Sequence, residues 1–498
     1  MGKTVKYRLN GVEREAEEGR LVIDAAKDAG VEIAHYCYHP ALGNPGNCRM
    51  CLVEVAGAPK PQASCRTGVR EGLDVKTDSD LVKRAQASAL ELHLVNHPLD
   101  CPVCDQSGEC GLQDYYMQIG QYQSAVREDK EHKDKRVAAG PHVMLDSERC
   151  ILCTLCTRFV DNVTKTHELG IFGMGHAEKI ELTPGMTLDN AYSGNVVDLC
   201  PVGALTDRDF RYKVRVWYLE KTDSICTGCS RGCNISVHTN TARSWHNDGK
   251  RVARLKPRVN MDVNGHWMCD DGRYGFGSLD ADRLGKILRL TPQKSELSWC
   301  TMAAEIATAL SSAGEGLAVV ASGMLSNEDW AAYKTLFVDA LKVKHHYFSA
   351  EPDQVATEDA LLRKSDKVPN LKGAQANGLK SGSFEELAKA LEAGKINTLY
   401  VIERDLTQIF GERASALLSK AGVTILQGPY KYALGDSFAY RLPATAYVEE
   451  DGHFTNFEGV IGAYKKALAP IGDSRPDWAI FALLLKTLSG AKIAKAVA

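Results

Sequence analysis

The sequence predicts a multi-domain protein in which small α+β modules precede a larger α/β domain. A chain of 498 residues is too long for one hydrophobic core and suggests roughly three to five domains. Fifteen of the sixteen cysteines lie between Cys37 and Cys269, in spaced groups that indicate small ligand-binding modules. From about Gly285 onward, strand-like and helical segments alternate instead, as in α/β domains with a parallel sheet.

The composition is that of an ordinary soluble protein. Hydrophobic residues make up 44% and charged residues 25% of the chain. The formal net charge of −3 gives no reason to expect nucleic acid or an anionic membrane as a partner. No signal peptide is visible, and the best apolar run, residues 478–485, is much shorter than the ~20 residues of a membrane span. We therefore expect a cytoplasmic protein that reaches a membrane only through its partners.

The cysteines form four groups whose spacing indicates metal. They are a first group of Cys37, Cys48, Cys51 and Cys65, a second group of Cys101, Cys104 and Cys110, a third group of Cys150, Cys153, Cys156 and Cys200, and a fourth group of Cys226, Cys229, Cys233 and Cys269. Disulfides explain them poorly in a reducing cytoplasm. Zinc sites also use C-x2-C pairs, but the third and fourth groups each have three cysteines in close succession, which is typical of iron–sulfur clusters. The favoured interpretation is a wire of clusters that moves electrons, with zinc as the alternative.

Residues 1–80 have the pattern of a plant-type ferredoxin, a β-grasp domain. A hairpin is predicted around the tight turn Asn10-Gly11, followed by a helix over residues 21–29, an irregular loop over residues 35–51 and further strands. Gly43 and Gly46 allow that loop to turn its amides toward cluster sulfur without a Cβ clash. The ten residues between Cys37 and Cys48 depart from the shorter C-x4-C spacing of plant-type ferredoxins.

Residues 81–120 are predicted to form a module around the second group. Asp78 and Ser79 are the predicted cap of a helix that runs to about Asn96. Three cysteines leave a four-iron cluster one ligand short, and His97 stands where a ligand is missing, with three residues between it and Cys101. His97 is therefore predicted as the fourth ligand, while His93 or a water molecule remains the alternative.

Residues 121–140 are predicted as a charged linker, because the mixed-charge run over residues 127–136 suits a solvated segment. Residues 141–215 are predicted as a ferredoxin-like module. In a two-cluster ferredoxin, a cysteine followed by proline would stand at Val160, whereas here Cys200-Pro201 appears much later. This pattern indicates a two-fold module that kept one cluster, held by the third group. A buried free thiol is the alternative for Cys200.

Residues 219–275 are predicted as a small β-rich module that holds another four-iron cluster on the fourth group. Its weak point is Cys269, because thirty-five residues separate it from Cys233. Cys300 is the only cysteine free to replace it, but its flanks look helical and core-like. Cys300 is therefore predicted to be structural.

Residues 276–498 are predicted as an α/β domain with a parallel sheet. Buried strands are expected over residues 316–322 and 397–403, and helices over residues 328–341, 384–393 and 412–421. No P-loop or convincing dinucleotide fingerprint occurs, so no nucleotide site is expected.

Several motifs, in this order, resemble one family. They are His35-Tyr-Cys37, Gly46-Asn-Cys48-Arg-Met-Cys51, His97-Pro-Leu-Asp-Cys101 and Cys150-Ile-Leu-Cys153-Thr-Leu-Cys156. The chain resembles the large iron–sulfur subunit of respiratory NADH–quinone oxidoreductase (complex I), which is the G subunit in bacteria. The resemblance implies one 2Fe-2S cluster on the first group and three 4Fe-4S clusters, on His97 with the second group, on the third group and on the fourth group. The last of these clusters occurs only in some members of the family.

The C-terminal domain resembles that of molybdopterin enzymes over residues 322–328, 359–363 and 449–459. It is much shorter than the family's pattern, so we expect a degenerate domain without molybdopterin. Cys300 is the only cysteine in this region.

The resemblance implies electron conduction without a catalytic residue in this chain. Hydride chemistry would take place on a flavin in another subunit, and single electrons would pass through this chain toward quinone-side iron–sulfur subunits, coupled in the complex to ion translocation. The implied location is the peripheral arm of a membrane complex, on the cytoplasmic side of the inner membrane. The alternatives are the iron–sulfur subunit of a soluble NAD-linked hydrogenase or formate dehydrogenase, and a molybdopterin oxidoreductase.

Overall fold

The computed structural model describes residues 2–119, 123–124, 126–350 and 358–497. Residues 120–122 and 125, where the predicted second module meets the predicted linker, lie outside this part. The chain divides into two compact units, Met1–Tyr218 and Leu219–Ala498. Among the described helices, none combines the length and apolar character needed to cross a membrane.

The first unit begins with a five-stranded sheet in the order β2-β1-β5-β3-β4. Strands β1 and β2 pair antiparallel across Asn10 and Gly11, whose φ values of 52° and 81° form the tight turn that the sequence predicts. Alternate side chains of β1 are buried against α1 because successive strand residues point to opposite faces. The elements are β1 (Thr4–Leu9), β2 (Val12–Glu17), α1 (Val22–Asp28), β3 (Leu52–Val55), β4 (Gln62–Ala63) and β5 (Asp74–Lys76).

Helices α2 and α3 and a later group of short strands and helices complete the first unit. Helix α2 starts where the Ser79 side chain accepts the Val82 amide, as predicted. The later strands form a three-stranded sheet, β10-β7-β6, and a separate hairpin, β8-β9. The elements are α2 (Asp80–Leu94), α3 (Gly111–Ile119), β6 (Val137–Ala138), β7 (Val143–Leu145), α4 (Leu155–Phe159), β8 (Leu169–Phe172), β9 (Lys179–Leu182), α5 (Asn195–Leu199) and β10 (Leu205–Asp207).

The charged run over residues 127–136 is more than a solvated linker. Most of its side chains are at least partly exposed, as expected. However, Lys130 Nζ donates to the carbonyl oxygens of Leu94 and Val95, both at 2.8 Å, and so closes the C-terminal end of α2. Lys135 forms an ion pair with the buried Glu148. The run is therefore anchored to the elements on both sides of it.

The second unit holds an antiparallel sheet, β11-β12-β13, a seven-stranded sheet in the order β15-β14-β20-β19-β18-β16-β17, and the hairpin β21-β22. From β20 to β17 the seven-stranded sheet is parallel, as the alternating pattern predicts. The elements are β11 (Glu220–Ile225), β12 (Asn234–Thr239), β13 (Val252–Pro257), α6 (Asp270–Tyr274), β14 (Leu288–Arg289), β15 (Ser295–Glu296), α7 (Trp299–Ala313), β16 (Leu317–Ala321), α8 (Asn327–Tyr333), β17 (His345–Tyr347), α9 (Leu371–Ala376), α10 (Phe384–Glu392), β18 (Thr398–Ile402), α11 (Leu406–Phe410), α12 (Ala414–Leu418), β19 (Val423–Gly428), β20 (Tyr440–Pro443), β21 (Gly452–Thr455), β22 (Ile461–Tyr464) and α13 (Asp477–Val497).

Helices cover both faces of the parallel sheet. Helices α7, α8 and α13 bury one apolar cluster against it, and α10 and α12 bury another. The predicted helix over residues 328–341 is α8 continued by a π-helical stretch, Lys334–Ala340. The prediction that Cys300 is a core residue is wrong, because Cys300 is exposed in the first turn of α7. An apolar neighbourhood in sequence does not fix which helix face a residue occupies.

Candidate metal centres

The four thiols of the first group converge beside β3, and each is at most 4% exposed. Cys48 hydrogen-bonds Cys37 and Cys65 hydrogen-bonds Cys51, which lowers the pKa of Cys37 to about 5 and that of Cys51 to about 6. The Cys37 sulfur also accepts hydrogen bonds from the backbone amides of residues 46–48. The loop therefore turns its amides toward sulfur, as its glycine content predicts.

In the second group, Cys104 and Cys110 are buried and Cys101 is partly exposed. The three thiols interact electrostatically, and burial raises the pKa of Cys110 to about 11. Burial also raises the pKa of Cys104. Two buried thiols and one partly exposed thiol fit a ligand set, because a bound metal cluster would stabilise the thiolate form that burial otherwise disfavours.

The side chain of His97 is suited to complete the second group. Burial lowers its pKa to about 4, and the neighbouring Arg149 adds to the effect, so the imidazole is neutral at pH 7. In the part of the chain that the structure describes, its enclosed Nδ1 has no hydrogen-bond partner. His93 instead hydrogen-bonds the Cys48 carbonyl at 2.9 Å and so serves the first group. A neutral imidazole with a free ring nitrogen fits a metal ligand.

Distant segments enclose the second group. Arg215 donates to the carbonyl oxygens of Cys104 and Pro102, at 2.5 and 2.6 Å. The Gly111 amide donates to the Pro201 carbonyl at 2.9 Å. The loop after Cys200, which belongs to the third group, therefore contacts the residue that follows Cys110.

A glycine permits a still closer contact between that loop and the second group. A Cβ atom built on Gly203 would lie 2.4 Å from Cys104 Sγ and 3.4 Å from Arg149 Cδ. Arg149 is buried and forms ion pairs with Asp100 and Asp146. It also interacts electrostatically with both His97 and Cys104, so it links the predicted fourth ligand to the cysteines.

The third group lines one cavity. Its four cysteines share the space with apolar side chains, including those of Ile180 and Val202. Burial raises the pKa of Cys200 to about 11, and the Leu152 amide lies 3.4 Å from Cys150 Sγ. Leu152 and Thr154 adopt left-handed backbone conformations, with φ of 53° and 65°, which cost energy in residues other than glycine and are characteristic of functional loops. Cys200, distant in sequence, is brought to the other three.

The fourth group is also assembled. Cys226, Cys229, Cys233 and Cys269 are each at most 8% exposed and interact electrostatically. Cys269 is the N-cap of α6, where the Gly272 amide lies 3.4 Å from its Sγ atom, and burial raises its pKa to about 11. The thirty-five-residue gap is thus closed by folding.

Within the described residues, no three His, Cys, Asp or Glu side chains are arranged to share a single metal ion. A cluster's ligands surround several iron and sulfide atoms, so they stand farther apart than the ligands of one ion. The residues present fit the iron–sulfur clusters that the sequence predicts. The sequence did not reveal the arginines and Gly203 around these thiols, since nothing in their spacing identifies their contacts.

Comparisons with known proteins match iron–sulfur domain families to the parts of the chain that carry the four groups. Family models match as a 2Fe-2S iron-sulfur cluster binding domain over residues 2–80, the NADH-ubiquinone oxidoreductase-G iron-sulfur binding region over 86–124 and the ferredoxin-like domain of NADH-quinone oxidoreductase subunit 3 over 140–206. A molybdopterin oxidoreductase Fe4S4 domain matches residues 219–280, and molybdopterin oxidoreductase matches residues 364–487. A mixed α/β chain with ferredoxin-like, iron–sulfur and molybdopterin-like domains is therefore supported.

Named relatives extend these matches. The G subunit of NADH-quinone oxidoreductase from Rickettsia felis is 38% identical over 335 residues, which cover 67% of this chain and 48% of the relative. The mitochondrial NADH-ubiquinone oxidoreductase 78 kDa subunit of Neurospora crassa is 39% identical over 339 residues, covering 67% and 44%. The chain thus spans about half the length of the curated relatives it matches.

A chain in the crystal structure of an NAD+-reducing [NiFe]-hydrogenase is 32% identical to this one. The match covers 43% of this chain and 91% of that chain, with a TM-score of 0.39, which is too low to establish a shared fold. The sequence relatives and the domain order together identify the chain as a homologue of the G subunits of NADH-quinone oxidoreductase.

Proposed function

We propose that this chain conducts single electrons as the iron–sulfur subunit of an NADH–quinone oxidoreductase. The observation that carries the proposal is the convergence of four cysteine groups, of which only Cys101 and Cys150 are partly exposed, in the chain order of the matching iron–sulfur domain families. The first group would hold a 2Fe-2S cluster. His97 with the second group, the third group and the fourth group would each hold a 4Fe-4S cluster.

The clusters would supply one-electron redox chemistry, and the residues of this chain would set where and how easily it occurs. Buried thiolates fix the positions of the clusters and keep water away. Backbone amides such as that of Gly46 offset negative charge on sulfur, and buried arginines such as Arg149 do so at longer range. No residue of the chain needs to transfer a proton or form a covalent intermediate.

Chemical analysis of the purified chain tests this proposal. We expect about 14 iron atoms per chain with matching sulfide, and EPR signals from one binuclear and three tetranuclear clusters in the reduced protein. Stoichiometric zinc with little iron would overturn the proposal. The relatives are named for the whole oxidoreductase, so co-purifying subunits identify the complex. A flavin subunit and quinone-side iron–sulfur subunits are expected, while a nickel subunit would favour a hydrogenase.

We also propose that the chain reaches the membrane only through the complex, in a peripheral arm on the cytoplasmic side. Electrons would arrive from the flavin- and NADH-binding subunit and leave toward quinone-side subunits, coupled there to ion translocation. Selective labelling of intact cells or inverted vesicles, followed by detection of the chain, tests the side. Labelling from the periplasmic face would contradict this location.

The second unit invites another candidate function, because a molybdopterin oxidoreductase model matches residues 364–487. We propose instead that the domain is degenerate and serves as a cover and docking surface. The only cysteine of residues 276–498, Cys300, is exposed in the first turn of α7. Metal analysis of the purified complex decides between the two. Molybdenum or tungsten near one atom per chain, with extractable pterin, would make the domain catalytic.

A further inference from the structure

Arg158 connects the loops of two ligand groups. It lies two residues after Cys156 and donates from Nη1 to the carbonyl oxygens of Leu42 and Gly43, at 2.8 and 3.1 Å. Its Nη2 donates to the carbonyl of Cys37, and its Nε donates to Thr154 Oγ1 at 3.2 Å. One guanidinium thus binds three carbonyls of the first group's loop while it is held by the third group's loop.

A second, uncharged contact joins the same two loops. Asn47 Nδ2 donates to the Leu152 carbonyl at 2.9 Å. Asn47 follows Gly46 in the loop whose amides face the Cys37 sulfur, and Leu152 lies between Cys150 and Cys153. The Asn47 contact therefore contributes to docking without adding charge, which makes it a natural control for Arg158.

The charge of Arg158 lies beside residues of both ligand groups. The side chain is partly buried, and none of the ion pairs found among the described residues includes it. Its Nη2 contacts the carbonyl of Cys37, and the residue itself follows Cys156 by only two positions. The guanidinium therefore lies within electrostatic range of both thiol sets, and in a partly buried setting such interactions are weakly screened.

We propose that Arg158 is a positioning residue that docks the first group's loop on the third group's loop, and that its charge raises the reduction potentials of the clusters at both groups. The inference rests on the proposed function. Reduction adds one electron to a cluster and, in this proposal, moves no proton and breaks no bond. A fixed positive charge nearby favours the more negative, reduced form, whereas docking alone does not require a charge.

Matched variants separate the charge from the docking. Arg158→Gln removes the charge, Arg158→Lys keeps the charge but loses the planar fork, and Asn47→Ala removes a docking hydrogen bond without a change in charge. Each variant is purified in its complex, checked for iron and sulfide, and titrated with dithionite under EPR. We expect Arg158→Gln to shift both midpoint potentials downward. The Arg158→Lys and Asn47→Ala variants should stay near the wild-type potentials.

An Arg158→Gln variant with full iron and unchanged potentials would overturn the charge role. If Arg158→Gln loads neither cluster, the Arg158→Lys variant decides. Midpoint potentials of Arg158→Lys at the wild-type values support the role of charge. Midpoint potentials that fall in both Arg158→Lys and Asn47→Ala show that docking alone sets them. Failure of the proposed function looks different, because the wild-type protein itself would then lack iron or cluster EPR signals.

Discussion

Replacing Gly203 by alanine tests whether the loop after Cys200 forms part of the wall around the second group. The added Cβ would lie 2.4 Å from Cys104 Sγ, 3.3 Å from Gln106 Cβ and 3.4 Å from Arg149 Cδ. Real Cβ atoms essentially never approach another heavy atom within 3.0 Å, so the sulfur or the loop must move. Gly203 does not have a positive φ, so the expected cost comes from this contact and not from backbone strain.

The expected cost is that of overpacking a tight site, about 1–3 kcal/mol. Every 1.4 kcal/mol changes the folding equilibrium about tenfold, so the urea midpoint for unfolding of the first unit should fall measurably. Displacement of Cys104 should also weaken the cluster predicted at His97 and the second group. We expect up to about four iron atoms per chain to be lost first, because that is the content of one such cluster.

The assay combines urea unfolding, followed by far-UV circular dichroism under anaerobic conditions, with iron analysis. Gly111→Ala is the matched control, because it adds a Cβ beside Cys110 at the start of α3 whose nearest neighbour would be the Pro201 carbonyl oxygen at 3.6 Å. Its stability should stay the same or rise slightly, since alanine lowers the entropy of the unfolded chain. The reasoning is refuted if Gly203→Ala matches Gly111→Ala in both stability and iron content.

Three further outcomes are expected. His97→Cys should keep its cluster and lower its reduction potential, because a thiolate adds negative charge; a potential and EPR spectrum that do not move would show that His97 is not a ligand. Cys229→Ala should lower the yield of assembled complex but leave electron flow through the assembled fraction largely intact, and assembled complex without turnover would contradict this. Burial, with Asp329 and Glu450 nearby, raises the pKa of Glu403 well above its usual value of about 4.3. The protonated Glu403 side chain therefore contributes its full stabilisation below about pH 4.3, and this stabilisation is lost as the pH rises through the raised pKa. Glu403→Gln should therefore flatten the fall of thermal stability with rising pH, and an unchanged slope would count against the shift.

Much of the fold could be predicted because the decisive signals are local. Asn10 and Gly11 specify a tight turn by their backbone preferences, and Ser79 specifies a helix start through its side-chain oxygen. The alternation of apolar strands and helices in the second unit predicted a parallel sheet, since such strands are buried on both faces. Within each cysteine group, spacing predicted which closely spaced thiols would meet.

What the sequence could not provide was long-range packing. Cys300 has apolar neighbours, yet the register of α7 turns it toward solvent. The lysines of residues 127–136 look like solvated charge, but Lys130 finds the free carbonyls at the end of α2. Arg158 and Gly203 contact residues far away in sequence, so no local sequence pattern predicts these contacts. The ligand assignments themselves stay predictions until clusters are measured.

Some of the residues that enclose the second group are synthesised long after its cysteines. Arg215, whose guanidinium binds the carbonyls of Cys104 and Pro102, follows Cys104 by about a hundred residues. At translation rates of about 5–20 residues per second, the site stays open for roughly 5 to 20 s after its cysteines are made. The nascent second group is therefore exposed to oxidants and stray metal ions until the rest of the first unit emerges. For the cluster proposed at the second group, we therefore expect insertion after the first unit is complete, not when its cysteines first appear.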